Sequence, residues 1–201
     1  MIARPQPSPR TSGAVRRHTA RVLLRIFVPV AAVVLCAVLA LCFWAGYFDR
    51  VRMSRETVGP YHLLYREHRG PYEGIRFAMR DVFLYYRDTY EQTPACGFSV
   101  YEDDAGITER DSLRSRAGCL TDTLLVDPDA PFRSRTVPEY RAAVGTFPLR
   151  SPFSYMVGVM KHRRALQRFL DDEGLERGGA VMEIYDMEKR EIRYVTPVGE
   201  G

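Results

Sequence analysis

The feature that most constrains this chain is an uncharged run of 23 residues from Ile26 to Phe48. At about 1.5 Å of rise per helical residue, such a run is long enough to cross a hydrocarbon core of roughly 30 Å. A cleaved secretory signal has a shorter apolar core followed by small residues, whereas aromatic residues follow here. The sequence therefore predicts a transmembrane helix over residues 22–48 that anchors the chain in a lipid bilayer.

The arginines that flank this run predict its orientation. Those that precede it occur among 25 residues without any acidic side chain: Arg4, Arg10, Arg16, Arg17, Arg21 and Arg25. Those that follow it are mixed with Asp49 and Glu56. Short flanks rich in arginine stay in the cytoplasm, so we expect a single-pass protein with a cytoplasmic N-terminus and an extracytoplasmic folded domain. Residues 1–21 are poor in apolar side chains and are predicted to form a disordered basic arm.

That arm also accounts for the basic character of the chain. The net charge is +4, but residues 26–201 carry 23 basic and 25 acidic side chains. Because a nucleic-acid-binding domain carries its basic residues on the folded surface, we expect no nucleic-acid partner. The sequence has no Gly-rich phosphate loop, no nucleophile elbow and no metal-ligand spacing among its four histidines. We therefore expect no cofactor, no metal site and no assigned catalytic residue.

Residues 57–198 contain the same order of elements twice. The first module is predicted as a strand over 61–68, a helix over 75–90 and a hairpin of strands 96–102 and 113–121. The second is predicted as a strand over 141–149, a helix ending at Gly174 and a hairpin of strands 180–187 and 191–195. Two such modules sharing one antiparallel sheet, with both helices on one face, form an α+β architecture.

Four short motifs carry a resemblance to a known family. They are His68-Arg69-Gly70-Pro71-Tyr72, Val100-Tyr101-Glu102-Asp103-Asp104, Arg116-Ala117-Gly118 and Met182-Glu183-Ile184-Tyr185. Residues 57–198 resemble the GyrI-like domain, the small-molecule effector-binding module of multidrug-sensing and AraC-type regulators. With its N-terminal span, the chain looks more particularly like the testis-expressed ER-phagy receptor and its bacterial relatives. An autophagy role is not carried over, because that receptor's adaptor motif has no counterpart in this sequence and its folded domain faces the cytosol.

The resemblance implies a ligand-binding role for Glu183. In GyrI-like sensors a glutamate at the matching position lies at the base of an aromatic pocket and recognises cationic, often aromatic, ligands. The residues support this role, because strand alternation places Glu183 on one face with Val181 and Tyr185. A carboxylate in that position is partly desolvated and needs a cation or hydrogen-bond donors. The alternative is an exposed strand residue that pairs with Arg193 across the hairpin.

Tyrosines are expected to complete the binding set. Tyr101 occupies the place in the first module that Tyr185 occupies in the second, and Tyr65 and Tyr72 lie in or beside the family motifs. Aromatic faces around a carboxylate suit a flat cation, since each cation–π contact contributes about 0.5–2 kcal/mol. For Tyr72 and Tyr185, simple packing in the core or at the rim is the alternative.

The function expected from these observations is binding of a small, cationic or aromatic molecule by a membrane-anchored GyrI-like domain. Two alternatives stay open. The first is a GyrI-like hydrolase of electrophilic small molecules, in which Glu183 and a nearby tyrosine activate water. The second is a membrane-tethered adaptor with a vestigial pocket. The sequence does not identify a protein partner.

Two cysteines of the folded region lie almost symmetrically about the turn near residues 107–108. In a regular hairpin Cys96 and Cys119 would therefore face each other, and directly opposed cysteines come close enough for a disulfide. An extracytoplasmic location would allow that bond to form. The alternative is two buried free thiols.

Overall fold

The computed structural model describes residues 12–127 and 130–200. It divides into two compact units, residues 1–44 and 45–201, and each is described by itself. The first unit contains helix α1, Ser12–Trp44. Within the described part of the chain, α1 holds the one stretch long and apolar enough to cross a membrane, Phe27–Trp44, with a mean hydropathy of 2.7.

The bounds of α1 differ from the predicted ones at both ends. The helix begins at Ser12, so residues 12–21, predicted to be disordered, are helical, while residues 1–11 of the predicted arm lie outside the described residues. Alanine, arginine and leucine favour helix, and extending an existing helix needs no new nucleation. The helix ends at Trp44 and residues 45–48 form a turn, in which Gly46 has a φ of +78°. A positive φ is incompatible with continuing the helix.

The second unit is an α+β domain built on one antiparallel sheet. Its elements are β1 Arg52–Val58, β2 Tyr61–Arg69, α2 Ile75–Tyr90, β3 Cys96–Tyr101, β4 Arg114–Thr121, β5 Arg133–Val137, β6 Tyr140–Pro148, α3 Ser154–Glu173, β7 Leu175–Arg177, β8 Met182–Asp186 and β9 Glu191–Glu200. The strand order is β1-β6-β9-β8-β3-β4-β2-β5, and β7 pairs with β9. Both predicted strand-helix-hairpin modules are confirmed, and they join where β3 pairs with β8.

Three strands were not predicted from the sequence, because they are short or lie at the edges of the sheet. β1 and β5 form the two ends of the strand order, and β7 has only three residues. β1 carries several charged side chains, and β5 is five residues long and largely solvent-facing. One face of an edge strand is often solvated and one backbone edge is unpaired, so its hydrophobic pattern is weak.

Both helices pack on the same face of the sheet, as predicted. The buried positions of α2 recur at helical spacing: Ile75, Ala78, Val82 and Tyr86. Those of α3 are smaller and more polar: Ser154, Gly158, His162, Leu166 and Leu170. The predicted end of α3 at Gly174 is confirmed, because this glycine caps the helix with a φ of +61°.

The opposite face of the sheet carries no helix and encloses a core of its own. This cluster contains Val58, Leu63, Tyr65, Phe98, Val100, Ala142, Val144, Met182, Ile184 and Val195. Its residues come from six strands, so the curled sheet buries them between its own strands. The fold therefore has an apolar core on one face of the sheet and the helices on the other, and the buried side chains of a strand alternate between these two environments.

Candidate functional site

A groove runs between α2 and α3 on the helix-bearing face of the sheet. One part, the α2 lobe, has a volume of about 640 Å³ and is lined by α2, the start of α3 and Tyr185. The other, the α3 lobe, has a volume of about 530 Å³ and is lined by α3, the loop after β3 and Glu183. Tyr72 and Tyr101 line both lobes, so the lobes meet at this pair of rings. Volumes of this size suit small-molecule ligands.

Glu183 is the second residue of β8 and lies on the face that carries the helices. Its direct partner on the neighbouring strand is Ser99 of β3, so it sits where the two modules join. Only 7% of the residue is exposed. The Tyr185 hydroxyl donates a hydrogen bond of 2.6 Å to Oε2 of Glu183, and the same hydroxyl lies 2.9 Å from Oγ of Ser99. Hydroxyl groups, and no basic side chain among the described residues, therefore satisfy this carboxyl group.

Burial dominates the protonation of this carboxyl group. It raises the pKa of Glu183 from an ordinary value of 4.5 to about 7, although hydrogen bonds from Tyr185 and Tyr101 act in the opposite direction. The pKa of Tyr185 is raised far above its ordinary value, mainly by burial and next by the nearby Glu183 carboxylate. Burial followed by the Glu183 carboxylate also raises the pKa of Tyr101. At neutral pH the glutamate is thus poised between its two protonation states while both tyrosines keep their protons.

Aromatic rings form the walls around this glutamate. The rings of Tyr72 and Tyr101 meet edge to face with centroids 4.9 Å apart, and the Tyr72 hydroxyl donates a hydrogen bond of 2.6 Å to the carbonyl oxygen of Asp103. The ring of Tyr155, at the start of α3, meets Tyr185 in the same way at 5.5 Å. Tyr155 was missed in the sequence because only the tertiary structure brings the first turn of α3 over β8.

Four of the five predicted binding residues come together at the groove. Glu183, Tyr185, Tyr101 and Tyr72 line one or both lobes. Tyr65 does not join them, because it belongs to the core on the opposite face, where the Arg116 guanidinium lies 5.9 Å from its ring centroid. Side chains of a strand alternate between faces, and the direct partner of Tyr65 is Gly118 rather than Ala117, whose side chain packs beneath α2 on the helix-bearing face. The placement of Tyr65 in the site was therefore wrong.

The alternative for Glu183, an exposed residue paired with Arg193, was also wrong. Arg193 lies directly opposite Ile184, so its side chain points to the other face of the sheet from Glu183. There it donates a hydrogen bond of 3.1 Å to Glu56 of β1. The direct partner of Glu183 on β9 is Tyr194, which is 1% exposed.

The proposed disulfide is absent because the hairpin register differs by one residue from the symmetric one. Cys119 lies opposite Gly97, so Cys96 and Cys119 project from opposite faces of the sheet. Both cysteines are free: Cys119 packs beneath α2, whereas Cys96 packs against the core of the other face. Burial raises the pKa of the Cys119 thiol to about 12.

The α3 lobe is more polar than the α2 lobe and contains residues that the sequence analysis did not assign. His162 of α3 lines it, and its ring stacks on that of Tyr194 with centroids 4.3 Å apart. Asp103 at its rim is held by Arg114, whose hydrogen bonds lower the pKa of that carboxyl group. Among residues 12–127 and 130–200 there is no group of three or more side chains suited to hold a metal ion.

Comparison with known proteins identifies the family. The family model described as the GyrI-like small molecule binding domain matches residues 53–198. The chain therefore belongs to the family of GyrI-like small-molecule-binding domains. No curated protein matches its sequence.

Solved structures share the fold at low sequence identity. The crystal structure of the EcmrR C-terminal domain has a TM-score of 0.56 at 9% identity, and the match covers 75% of this chain and 99% of that one. EcmrR in a cryo-EM complex with DNA has a TM-score of 0.53 at 10% identity, with 96% and 74% covered. An uncharacterized conserved protein from Listeria innocua has a TM-score of 0.51 at 16% identity, with 76% and 95% covered. At these identities the likeness is one of fold alone.

Proposed function

We propose that this chain is a single-pass membrane protein whose GyrI-like domain binds a small aromatic cation in the groove between α2 and α3. The observation that carries this proposal is Glu183, a carboxyl group that is 7% exposed and is paired only with hydroxyl groups among the described residues. A buried carboxylate without a countercharge is costly, and a bound cation would supply that charge. Family membership and the apolar helix α1 support the two parts of the proposal.

The tyrosine rings around Glu183 determine which class of cation the groove can bind. Tyr72, Tyr101, Tyr155 and Tyr185 present aromatic faces and edges to the α2 lobe, and Met79 of α2 adds a flexible apolar wall. A flat or aromatic cation gains cation–π and stacking contacts there, whereas a small hydrated cation would lose its water without replacing it. The ligand class that fits best is therefore an aromatic or otherwise delocalised cation.

The test is a ligand-induced shift in melting temperature, measured on the full chain in a non-ionic detergent with tetraphenylphosphonium and other aromatic cations. At a hundredfold excess over the dissociation constant, binding stabilises the folded state by about 2.7 kcal/mol. Glu183→Gln keeps the shape of the side chain and removes its charge, so we expect it to lose most of that shift. Glu73→Gln is the matched control, because Glu73 lines the adjoining α2 lobe but is exposed and paired with Arg110.

Two results would contradict the binding proposal. One is a panel of aromatic cations that leaves the melting temperature unchanged. The other is an equal shift in the parent and in Glu183→Gln, which would place the cation elsewhere or in the detergent. Loss of the shift in both Glu183→Gln and Glu73→Gln would indicate a general electrostatic effect rather than a specific countercharge.

The location of the domain is a separate part of the proposal. The arginines that precede the apolar stretch Phe27–Trp44 favour a cytoplasmic N-terminus, which would place the folded domain outside the cytoplasm. Alkaline phosphatase is active only after export, so a fusion of this enzyme to the C-terminal end of the chain in a bacterial host should be active. If the alkaline phosphatase fusion is inactive and a cytoplasmic reporter fused at the same position is active, the folded domain lies in the cytoplasm and the proposed orientation is wrong.

Hydrolysis of an electrophilic small molecule is the second candidate function. The specific observation in its favour is the 2.6 Å hydrogen bond between Tyr185 and a glutamate whose pKa is raised to about 7, a value suited to general acid–base work at neutral pH. Mass spectrometry of bound compounds after incubation separates the two functions, because an enzyme adds water to its substrate and a binding protein returns its ligand unchanged.

A further inference from the structure

The beginning of the folded domain is attached to the first half of α3. The Ser154 hydroxyl donates a hydrogen bond of 3.3 Å to the carbonyl oxygen of Ala45, the first residue of the second unit. The Arg150 guanidinium donates two hydrogen bonds, of 2.5 and 2.9 Å, to the Asp49 carboxylate. The Lys161 ammonium donates one of 2.6 Å to the Asp49 carbonyl oxygen. The segment that begins the domain is therefore fixed against this helix.

This attachment determines where α3 lies if α1 spans a bilayer, as proposed above. The apolar stretch Phe27–Trp44 has 18 residues. A helix of that length is about 27 Å long, close to the roughly 30 Å of a hydrocarbon core. Ala45 follows Trp44 directly, so the chain leaves the hydrocarbon where the folded domain begins. The first turn of α3, bonded to Ala45 through Ser154, then lies at the boundary between lipid and water.

An exposed apolar stripe runs along this part of α3. Phe153, which precedes the helix, is 50% exposed, and Met156 and Met160 within it are 61% and 66% exposed. Spacings of three and four residues place these three side chains, the outer stripe of α3, on one side of the helix. The buried positions of α3 face the sheet instead. Adjoining exposed apolar side chains mark a contact surface for a membrane or for another protein.

The outer surface of α2 is different, so the stripe is not a general feature of the helices of this domain. The exposed ring of Phe77 lies near two guanidinium groups, those of Arg76 and Arg80, at 4.6 and 5.5 Å from its centroid. Asp81 and Asp88 add acidic groups that pair with arginines. This helix therefore presents charges of both signs to water, as the solvent face of a helix usually does.

The charges of α3 have one sign along most of its length. Between Ser154 and Leu170 the helix has no acidic residue, and its basic residues are Lys161, Arg163, Arg164 and Arg168. Arg164 and Arg168 are exposed and line neither lobe, and Arg164 lies one turn beyond Met160. Apolar side chains beside arginines suit a bilayer surface, because the apolar groups enter the acyl region while the guanidinium groups bind phosphate oxygens.

We propose that the outer stripe of α3 inserts into the interface of the bilayer that α1 crosses, with Arg164 and Arg168 at its anionic headgroups. This inference rests on the membrane-spanning part of the proposed function and not on the ligand. Insertion of Met156 and Met160 removes apolar surface from water, which the hydrophobic effect favours. The folded domain is therefore held against the lipid surface by α3 as well as by the chain that links it to α1.

The test is contact quenching of tryptophan fluorescence by lipids with brominated acyl chains. Trp44 is the single tryptophan of the chain, so Trp44→Phe removes it and Met156→Trp places a reporter on the outer stripe. The full chain is placed in nanodiscs of phosphatidylcholine and phosphatidylglycerol, at one copy per disc. Interfacial helices bury their apolar face by about 5–10 Å, so bromines near the headgroup end should remove roughly half of the reporter's fluorescence. Bromines at the far end of the acyl chains should remove less.

Two further reporters and one change of lipid accompany this measurement. Leu84→Trp in the same background places an exposed tryptophan on α2 and should keep its fluorescence. Met160→Trp should be quenched like Met156→Trp, and it replaces that variant if the first lacks a cooperative unfolding transition. Replacing phosphatidylglycerol by phosphatidylcholine should weaken the quenching, and the added pair Arg164→Glu and Arg168→Glu should abolish this dependence on lipid charge.

The outcomes separate this inference from the proposed function. Quenching of Trp44 in the parent, without quenching of Met156→Trp and Met160→Trp, overturns the lipid contact and leaves the membrane span intact. A blue-shifted emission of these reporters without quenching means that protein covers the stripe, which also overturns the lipid contact. Equal quenching of Leu84→Trp overturns the assignment to α3. Absence of quenching of Trp44 in the parent overturns the membrane span and this inference together.

Discussion

Glu183→Gln should make the folded domain more stable at alkaline pH and leave its stability nearly unchanged at acidic pH. The reason is the buried position of this carboxyl group, which is 7% exposed and has hydroxyl partners only. In the unfolded chain Glu183 ionises with an ordinary pKa of 4.5, whereas in the folded domain the pKa is raised to about 7. Glutamine cannot ionise, so it removes this difference between the two states.

The sign and size of the effect follow from linkage. Between pH 4.5 and 7 the folded state keeps a proton on Glu183 that the unfolded state has lost, so the stability of the parent falls as the pH rises through that window. Each unit of pKa difference corresponds to 1.36 kcal/mol, which gives a penalty of about 3 kcal/mol above pH 8. For a domain of this size that penalty corresponds to roughly 6–12 °C in melting temperature.

The assay is thermal unfolding of the full chain in a non-ionic detergent, followed by the near-ultraviolet circular dichroism of its tyrosines at pH values from 4.5 to 9. The quantity of interest is the difference in melting temperature between Glu183→Gln and the parent at each pH. That difference should be small at pH 5 and should increase toward a plateau above pH 8. Glu73→Gln serves as the control, because it also exchanges a carboxylate for an amide, but at an exposed surface ion pair with Arg110.

A difference in melting temperature that does not change with pH would refute the raised pKa of Glu183. Such a result would mean that Glu183 has the same affinity for protons in the folded and unfolded states, so that water or a cation compensates its burial. A variant that becomes less stable than the parent at high pH would refute it more strongly, because the ionised carboxylate would then stabilise the fold.

Three further predictions concern the groove, the sheet and the cysteines. Binding of an aromatic cation requires ionised Glu183, so below pH 7 its affinity should fall by up to about tenfold per pH unit, with proton release detectable by calorimetry in two buffers. Gly118→Ala should abolish the cooperative thermal unfolding transition of the full chain in detergent, because its Cβ would lie 1.9 Å from the carbonyl oxygen of Leu64, whereas a Cβ at Gly199 has nothing within 4 Å and Gly199→Ala should unfold like the parent. Mass mapping without reductant should find Cys96 and Cys119 unpaired, and a reductant should leave the melting temperature unchanged.

The elements of the domain were predictable because their signals are local. Helix α2 has the predicted bounds, Ile75–Tyr90, and α3 ends before the glycine that the sequence marks as its cap. The alternation along β8 likewise placed Glu183 and Tyr185 on one face. These features depend on the periodicity of side chains within one element and on backbone preferences at its ends, both of which are encoded in neighbouring residues.

The predictions that were wrong concern how secondary-structure elements are placed relative to one another. Placing Tyr65 beside Glu183 required knowing which face of β2 the helices cover, and pairing Cys96 with Cys119 required the hairpin register to within one residue. A shift of one residue exchanges the two faces of a strand, and the positions of the turn residues do not determine the register that closely. His162 was missed for a related reason, because the helical pattern predicts α3 but not which of its sides meets the sheet.

The sequence by itself determined a long apolar N-terminal helix, two strand-helix-hairpin modules and membership of the GyrI-like family. Only the tertiary structure decided that β3 pairs with β8 and so brings Ser99, Glu183 and Tyr185 of the two modules together. The physical reason is that a raised pKa and a groove between helices arise from packing between residues far apart in the chain. Periodicity and capping are set within a few residues, whereas burial depends on the whole fold.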